Sequence, residues 1–274
     1  MSYFQFDKTK CTRDGLCAAA CPVDLITMDP KTKEPAPVAD AEKLCITCGH
    51  CVAVCPHGAL SLERIPLSRC EPLPETWRPD PERAANFLKG RRSIRRYTSD
   101  TVERETIERI LDVARFAPSG VNCQPLFWKV IYEPEQTCEI ARLTVEWMKT
   151  LLAADAPLAR ALRMEGHVRA WEAGHDRICR GAPHLIIACG LAEDRRAAQS
   201  AHIAVTYVDL MAAAYNIGAC WAGYVTMAIN ESAALKKYVG LRSREAAHGA
   251  MMLGHAAYRY QRIPVRKELN VQWM

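Results

Sequence analysis

Apolar residues recur at helical spacing from Ile107 through Ile110, Leu111 and Ala114 to Ala117, and Pro118 then blocks any continuation, so the pattern predicts an amphipathic helix that stops there. Two short apolar runs, Phe127 to Tyr132 and Leu185 to Gly190, read as buried strands. Between Ala197 and Asn216 an alanine-rich stretch is apolar on most sides and ends at Gly218, the pattern of a central helix. His202, Asp209 and Asn216 interrupt it, which excludes a membrane span. The stretch from Trp147 to Arg180 has mixed charge and helical bias and presents no clear site. Helices interleaved with a few strands predict an α+β or α/β layered domain.

Periodicity fails from Ile65 to Glu82, where five prolines favour an extended linker. The expected organisation is a small domain over residues 1–63, a proline-rich linker over 64–83 and a larger domain over 84–274. At 274 residues and 49% hydrophobic content the remainder can build its own core. Up to Leu62 there are six Lys or Arg against seven Asp or Glu, a net of −1, so the rest of the chain carries +6 to reach the formal charge of +5 and the basic surplus lies in the larger domain. Its positive residues are mixed with acidic ones and form no continuous basic face, which argues against a nucleic-acid partner.

The small domain carries the strongest chemical signal. Cys11, Cys17, Cys21 and Pro22 recur 34 positions later as Cys45, Cys51, Cys55 and Pro56, and the second copy adds Cys48. C-x2-C-x2-C-x3-C-P is the spacing of bacterial two-cluster ferredoxins, in which the fourth cysteine of each run reaches across to the other cluster. The crossed sets are then Cys21, Cys45, Cys48 and Cys51 for a [4Fe-4S] cluster, and Cys11, Cys17 and Cys55 for a second. Asp14 stands where the first copy would have its fourth thiol, with Gly15 and Gly49 confirming the register. Whether Asp14 ligates a fourth iron or flanks a [3Fe-4S] cluster is left open. A zinc ribbon would use paired C-x2-C units rather than two copies of a longer pattern. The opening MSYFQFDKTK lacks the apolar stretch of a secretory signal, so a cytoplasmic protein with reduced thiols is expected. Cys123, Cys179, Cys189 and Cys220 show no ligand spacing and read as small apolar fillers.

In the larger domain, Arg91, Arg92, Ser93, Ile94, Arg95 and Arg96 offer guanidinium forks and a hydroxyl suited to a phosphorylated cofactor. The loop Ala117 to Pro125 combines small residues with Asn122 and Gln124, whose amides suit the edge of a heterocycle. These two segments, the GACWAGY stretch from Gly218 to Tyr224 and the terminal LGHAAYRYQRIP from Leu253 to Pro264 resemble, in order, the nitroreductase family of FMN flavoproteins, specifically members with an N-terminal two-cluster ferredoxin domain.

That resemblance implies a ferredoxin-like domain followed by a nitroreductase-like α/β FMN domain, in an intertwined homodimer with FMN at the subunit interface. It implies that Arg91, Ser93 and Arg95, with Arg92 nearby and Arg262 completing the grip, hold the phosphate and ribityl chain. Pro118, Ser119, Asn122 and Gln124 would line the ring or meet its polar atoms, and Gly223 would offer a backbone N–H toward flavin N5. Tyr260 occupies the place of a second basic residue. FMN N5, rather than any catalytic side chain, carries the chemistry; Tyr224 and His255 are candidate proton donors that read more simply as packing residues. The expected function is a cytoplasmic oxidoreductase that passes electrons from the clusters to FMN and reduces a small electrophile, a nitroaromatic, quinone or activated alkene, by hydride transfer. Ferredoxin, NADH and NADPH are candidate donors. The alternative is an electron-transfer or redox-sensing relay without a substrate of its own.

Overall fold

In the computed structural model, which describes residues 3–274, the cysteine repeat is also a repeat of backbone conformation. Arg13 and Thr47, Gly15 and Gly49, and Asp24 and Gly58 all adopt positive φ, between 52° and 77°, at matching places in the two copies. Gly15 opens helix α1 (Leu16–Ala19) and Gly49 opens its counterpart α3 (His50–Ala53). Between them lie the strands β2 (Ile26–Met28) and β3 (Pro35–Pro37), paired antiparallel, and helix α2 (Ala41–Leu44). The unit closes on itself: β1 (Phe4–Phe6) pairs antiparallel with β4 (Leu60–Leu62). Its core is small, built from Phe4, Ile26, Cys51, Val52, Leu60 and Leu62. This compact unit extends to Pro79 and also takes in Val121–Cys123.

The second unit comprises Asp80–Gly120 and Gln124–Met274. It begins with α4 (Pro81–Gly90) and α5 (Arg104–Ala114), followed by β5 (Phe127–Ile131), α6 (Pro134–Ala153), α7 (Pro157–Ala161) and α8 (Met164–Glu172). Then come β6 (His184–Leu191), α9 (Arg195–Ala214), β7 (Gly218–Trp221), α10 (Gly223–Glu231), α11 (Ala233–Tyr238) and β8 (Glu245–Gly254). The four strands form one antiparallel sheet in the order β5-β6-β8-β7. Successive residues of β6 point to opposite faces. Leu185, Ile187 and Cys189 join a core with α6, α8 and α10, whereas Ile186 and Ala188 join one with α5 and α9. Helices on both sides of the sheet explain why β6 is an unbroken apolar run rather than an alternating one.

Four expectations shift. The strand expected to be buried from Phe127 is the sheet edge, so β5 is half exposed. The helix α5 stops at Ala114 because Phe116 and Ala117 donate three residues back, to Val113 and Ala114, tightening the chain before Pro118. The central helix α9 ends earlier than Gly218: Asn216 takes the left-handed position (φ 59°) and Ile217 N–H closes onto the Ala212 carbonyl. The proline-rich stretch ceases to be extended at Asp80, whose carboxylate caps α4 by accepting from the N–H groups of Glu82 and Arg83, with Pro81 at the first helical position. Among the described residues no helix is long and apolar enough to cross a membrane.

Candidate functional site

Folding the two cysteine runs together produces two separate cavities. One is bordered by Cys21, Cys45, Cys48 and Cys51, with Tyr3, Ile26 and Leu62 among its apolar walls. The other is bordered by Cys11, Cys17 and Cys55, and by Asp14 and Gly15. Backbone N–H groups already point at sulfur at equivalent positions of the repeat: Leu25 N–H donates to Cys21 Sγ at 3.3 Å and Ala59 N–H to Cys55 Sγ at 3.2 Å. Thr47 N–H donates to Cys45 Sγ at 3.4 Å. Such donors favour thiolates over thiols, the form in which cysteine ligates iron. Burial alone works the other way, pushing the Cys51 thiol up to about 11 and raising that of Cys17. The positive charge of iron is what would hold these sulfurs deprotonated. The Asp14 carboxylate accepts from Leu16 N–H and Thr12 Oγ1, hydrogen bonds that hold it below its ordinary range and hence anionic at neutral pH.

In the second unit the Arg91–Arg96 run lies beside β7. Ile94 N–H donates to the Ala219 carbonyl at 2.8 Å, and Ser93 bridges to Ala219. This approach requires Gly218, since a Cβ there would sit 2.8 Å from Ile94 Cγ2. The strand β7 leads directly into α10, whose first residue is Gly223. Its N–H is among those at a helix start that lack an intrahelical acceptor, and the space where its side chain would lie is open.

The expected flavin residues of the second unit border different cavities. Arg91 and Arg92 border a cavity of about 630 Å³ with Asp209, Asn216, His255, Tyr258 and Tyr260. Arg95 borders another, of about 500 Å³. Ser119 and Gln124 border a third, of about 110 Å³, between the end of α5 and α9, where Ser119 Oγ accepts from Gln124 N–H. Pro118 precedes this turn. Asn122 belongs with the N-terminal unit, and its amide donates to the Thr47 carbonyl at 2.7 Å and to that of Ile46 at 3.3 Å. Val121, Asn122 and Gln124 all have positive φ, a strain unusual in non-glycine residues and most of all in β-branched Val121. Arg262 lies in the irregular tail, which is exposed throughout.

Two partnerships escaped the sequence reading. Asp209, which there only interrupted a hydrophobic helix, is nearly buried and pairs with Arg91 at 3.0 Å. Burial raises its pKa against the lowering pull of that guanidinium. A lone acid on an apolar helix was the available signal. Tyr224 Oη lies 3.0 Å from His167 Nε2 and donates to the Leu162 carbonyl, so it is tied to helix packing. His167 Nδ1 and Arg92 Nε are buried without a hydrogen-bond partner in the protein. An unpartnered guanidinium nitrogen beside the largest of these cavities fits an anionic group such as a phosphate. Cys179, Cys189 and Cys220 are buried, and burial lifts the Cys189 thiol to about 12, which makes it inert filler.

Residues 88–255 match the model of the nitroreductase family, and residues 9–59 match that of the 4Fe-4S dicluster domain. No curated protein matches the sequence. Among solved structures, a nitroreductase with bound FMN from Bacteroides fragilis is 18% identical and superposes with a TM-score of 0.54 over 69% of this chain and 98% of its own. One with bound FMN from Desulfitobacterium hafniense is 22% identical, with a TM-score of 0.55 over 69% and 97%. Iodotyrosine deiodinase bound to FMN and 3-iodo-L-tyrosine is 20% identical, with a TM-score of 0.51 over 69% and 97%. At these identities the likeness establishes the fold.

Proposed function

Because the chain belongs to the nitroreductase family and carries an N-terminal 4Fe-4S dicluster domain, we propose that it is an FMN and iron-sulfur oxidoreductase that takes in electrons at its clusters and reduces a small electrophile. It is a nitroreductase-like flavin-dependent enzyme; its substrate would be a nitroaromatic, a quinone or an activated alkene. The observation that carries the reading is the sorting of the two cysteine runs into two cavities, in a chain whose larger unit matches the nitroreductase family. Cys21, Cys45, Cys48 and Cys51 would hold a [4Fe-4S] cluster. Cys11, Cys17 and Cys55, with Asp14, would hold a [4Fe-4S] or [3Fe-4S] cluster.

Bound FMN would supply the redox chemistry, accepting electrons singly and delivering them in pairs as hydride. The work of the chain is to bind and orient it. Arg91, Ser93, Arg95 and Arg262, with Arg92 nearby, would hold phosphate and ribityl oxygens, and Asp209 would fix the Arg91 guanidinium. Gly223 would present its N–H to the ring, whose edge would meet Pro118, Ser119, Asn122 and Gln124. Since Ser119 and Gln124 border a different cavity of the chain from Arg91, a homodimer would complete the set. Its tail from Pro264 to Met274 would lie on the partner, where the almost fully exposed Val265, Leu269 and Trp273 would gain cover.

Anaerobic titration of the purified protein tests this. It should contain FMN and iron, lose flavin absorbance on addition of reduced ferredoxin, NADH or NADPH, and regain it with a nitroaromatic or quinone. Protein without FMN, or reduced flavin that none of these electrophiles reoxidises, overturns the proposal.

A further inference from the structure

The segment joining α8 to β6 builds a second cationic surface from residues that no flavin role requires. Cys179 and Ile178 are buried and anchor it to the core. Asp176 folds it: Oδ1 accepts from the N–H groups of Ile178 and Cys179 at 2.8 and 2.9 Å, and Oδ2 from that of Gly181 at 3.0 Å. Arg180 is left-handed at φ 59°, next to Gly181 at φ 67°, a conformation uncommon in non-glycine residues. The result is a pinned turn that points Arg177 and Arg180 into a cavity of about 500 Å³, shared with Arg95, Arg96 and His175.

Four guanidinium groups thus face one carboxylate, and that carboxylate is occupied with backbone N–H groups. Among the described residues no acidic side chain forms an ion pair with Arg95, Arg96, Arg177 or Arg180. Convergent forks of this kind match carboxylate and phosphate oxygens in pairs. The cavity also adjoins the proposed flavin segment. Arg95 belongs to both, and Arg95 and Arg180 both act electrostatically on Cys220 of β7, three residues before Gly223. Arg177 and Arg180 likewise act on His167, the partner of Tyr224.

We infer that Arg96, Arg177 and Arg180 form an anion-binding subsite that selects electrophiles bearing a carboxylate or phosphate group. The inference rests on the oxidoreductase reading for the nature of the substrate, but anion binding at the turn does not depend on turnover. The turn holds the anion while the rest of the molecule extends toward β7 and Gly223. A neutral electrophile of the same shape gains nothing from the turn.

Calorimetric titration of the full-length holoprotein with 4-nitrobenzoate, 4-nitrophenyl phosphate and the neutral 4-nitrobenzamide tests it. One or both anions should bind about tenfold tighter than the amide, the value expected for one charge-assisted contact, and the stronger arm identifies carboxylate or phosphate. Added salt should narrow the difference. Arg177→Gln, and Arg180→Asn, which tolerates the left-handed backbone, should each weaken anion binding about tenfold and leave amide binding and FMN content unchanged. Equal affinity for anions and amide, or variants that bind like the wild type, overturns the inference. So does loss of FMN from either variant, which would give the turn to the cofactor phosphate. A protein that binds the anions as expected yet reduces none of the three compounds would support the subsite and count against the oxidoreductase reading alone.

Discussion

His184 shows how one residue couples the acid side of the pH scale to the fold. It is fully buried at the start of β6; its Nε2 accepts from Val102 N–H at 2.8 Å and its Nδ1 donates to the Tyr132 carbonyl at 2.6 Å. Burial lowers its pKa, outweighing the raising effect of the Tyr132 carbonyl. A histidine with a depressed folded-state pKa binds its proton more readily when unfolded, so its contribution to stability is complete above the ordinary histidine value of about 6.5 and fades as pH falls below it. The melting temperature should therefore drop between about pH 7 and pH 5, and His184→Gln should flatten that part of the profile at the cost of a lower plateau. A wild-type profile level over that range, measured by circular dichroism, would rule this out. The same scale shows why sequence alone leaves some partnerships hidden. Nothing in the local pattern says that Asp209 meets Arg91, because 118 positions separate the two (209 minus 91) and the contact exists only once α9 packs near β7.

Elements were legible where local pattern and tertiary setting agree. The run that became β6 is apolar because helices cover both faces of its sheet, whereas α9 buries Ala197, Ala201, Ala204, Val205, Val208 and Ala212 and leaves His202 and Ile203 exposed, so that helix is amphipathic rather than central. The strand β8, EAAHGAMMLG, begins with glutamate, alanine, histidine and glycine of weak strand preference, and β7 is four residues long; both owe their existence to the sheet around them. The three-residue strands of the first unit are equally invisible to a periodicity argument. In the candidate site, the cysteines that border each cavity are those that the spacing groups together, whereas the turn from His175 to Gly181 could not be read from the sequence, since its arginines acquire meaning only from the cavity they face. Gly218 ties element to site. Replacing it by alanine would drive a methyl group into Ile94 and push the Arg91–Arg96 run off β7. Overpacking of this kind costs about 1–3 kcal/mol, so Gly218→Ala should melt lower and also bind FMN more weakly. A variant with reduced stability and undiminished FMN affinity would show that the run keeps its binding geometry without this contact.

At the scale of the molecule, the two units differ in how much holds them together. The second has a sheet with two continuous cores, whereas the first has strands of three residues and six buried hydrophobic residues in its cluster. So small a core is marginal by itself. Removing iron with a chelator should therefore abolish amide-exchange protection in residues 3–62 while β6, β8 and α9 stay protected. Unchanged protection in the N-terminal unit after the iron is gone would contradict this. The crossed membership of the cavities carries a kinetic corollary. If both cavities hold the proposed clusters, one would fasten Cys21 to the second cysteine run and the other would fasten Cys55 back to the first, so that each metal group would act as a cross-link closing a loop that interlocks with its neighbour. By the loop-closure relation, one such link over a few tens of residues restricts the unfolded chain by about 3–4 kcal/mol. Neither link can be released by fraying from one end. Loss of metal should consequently be slow and concerted, both groups leaving in the same opening event, and a chain that has let go of them should rebuild slowly because both loops must be threaded again.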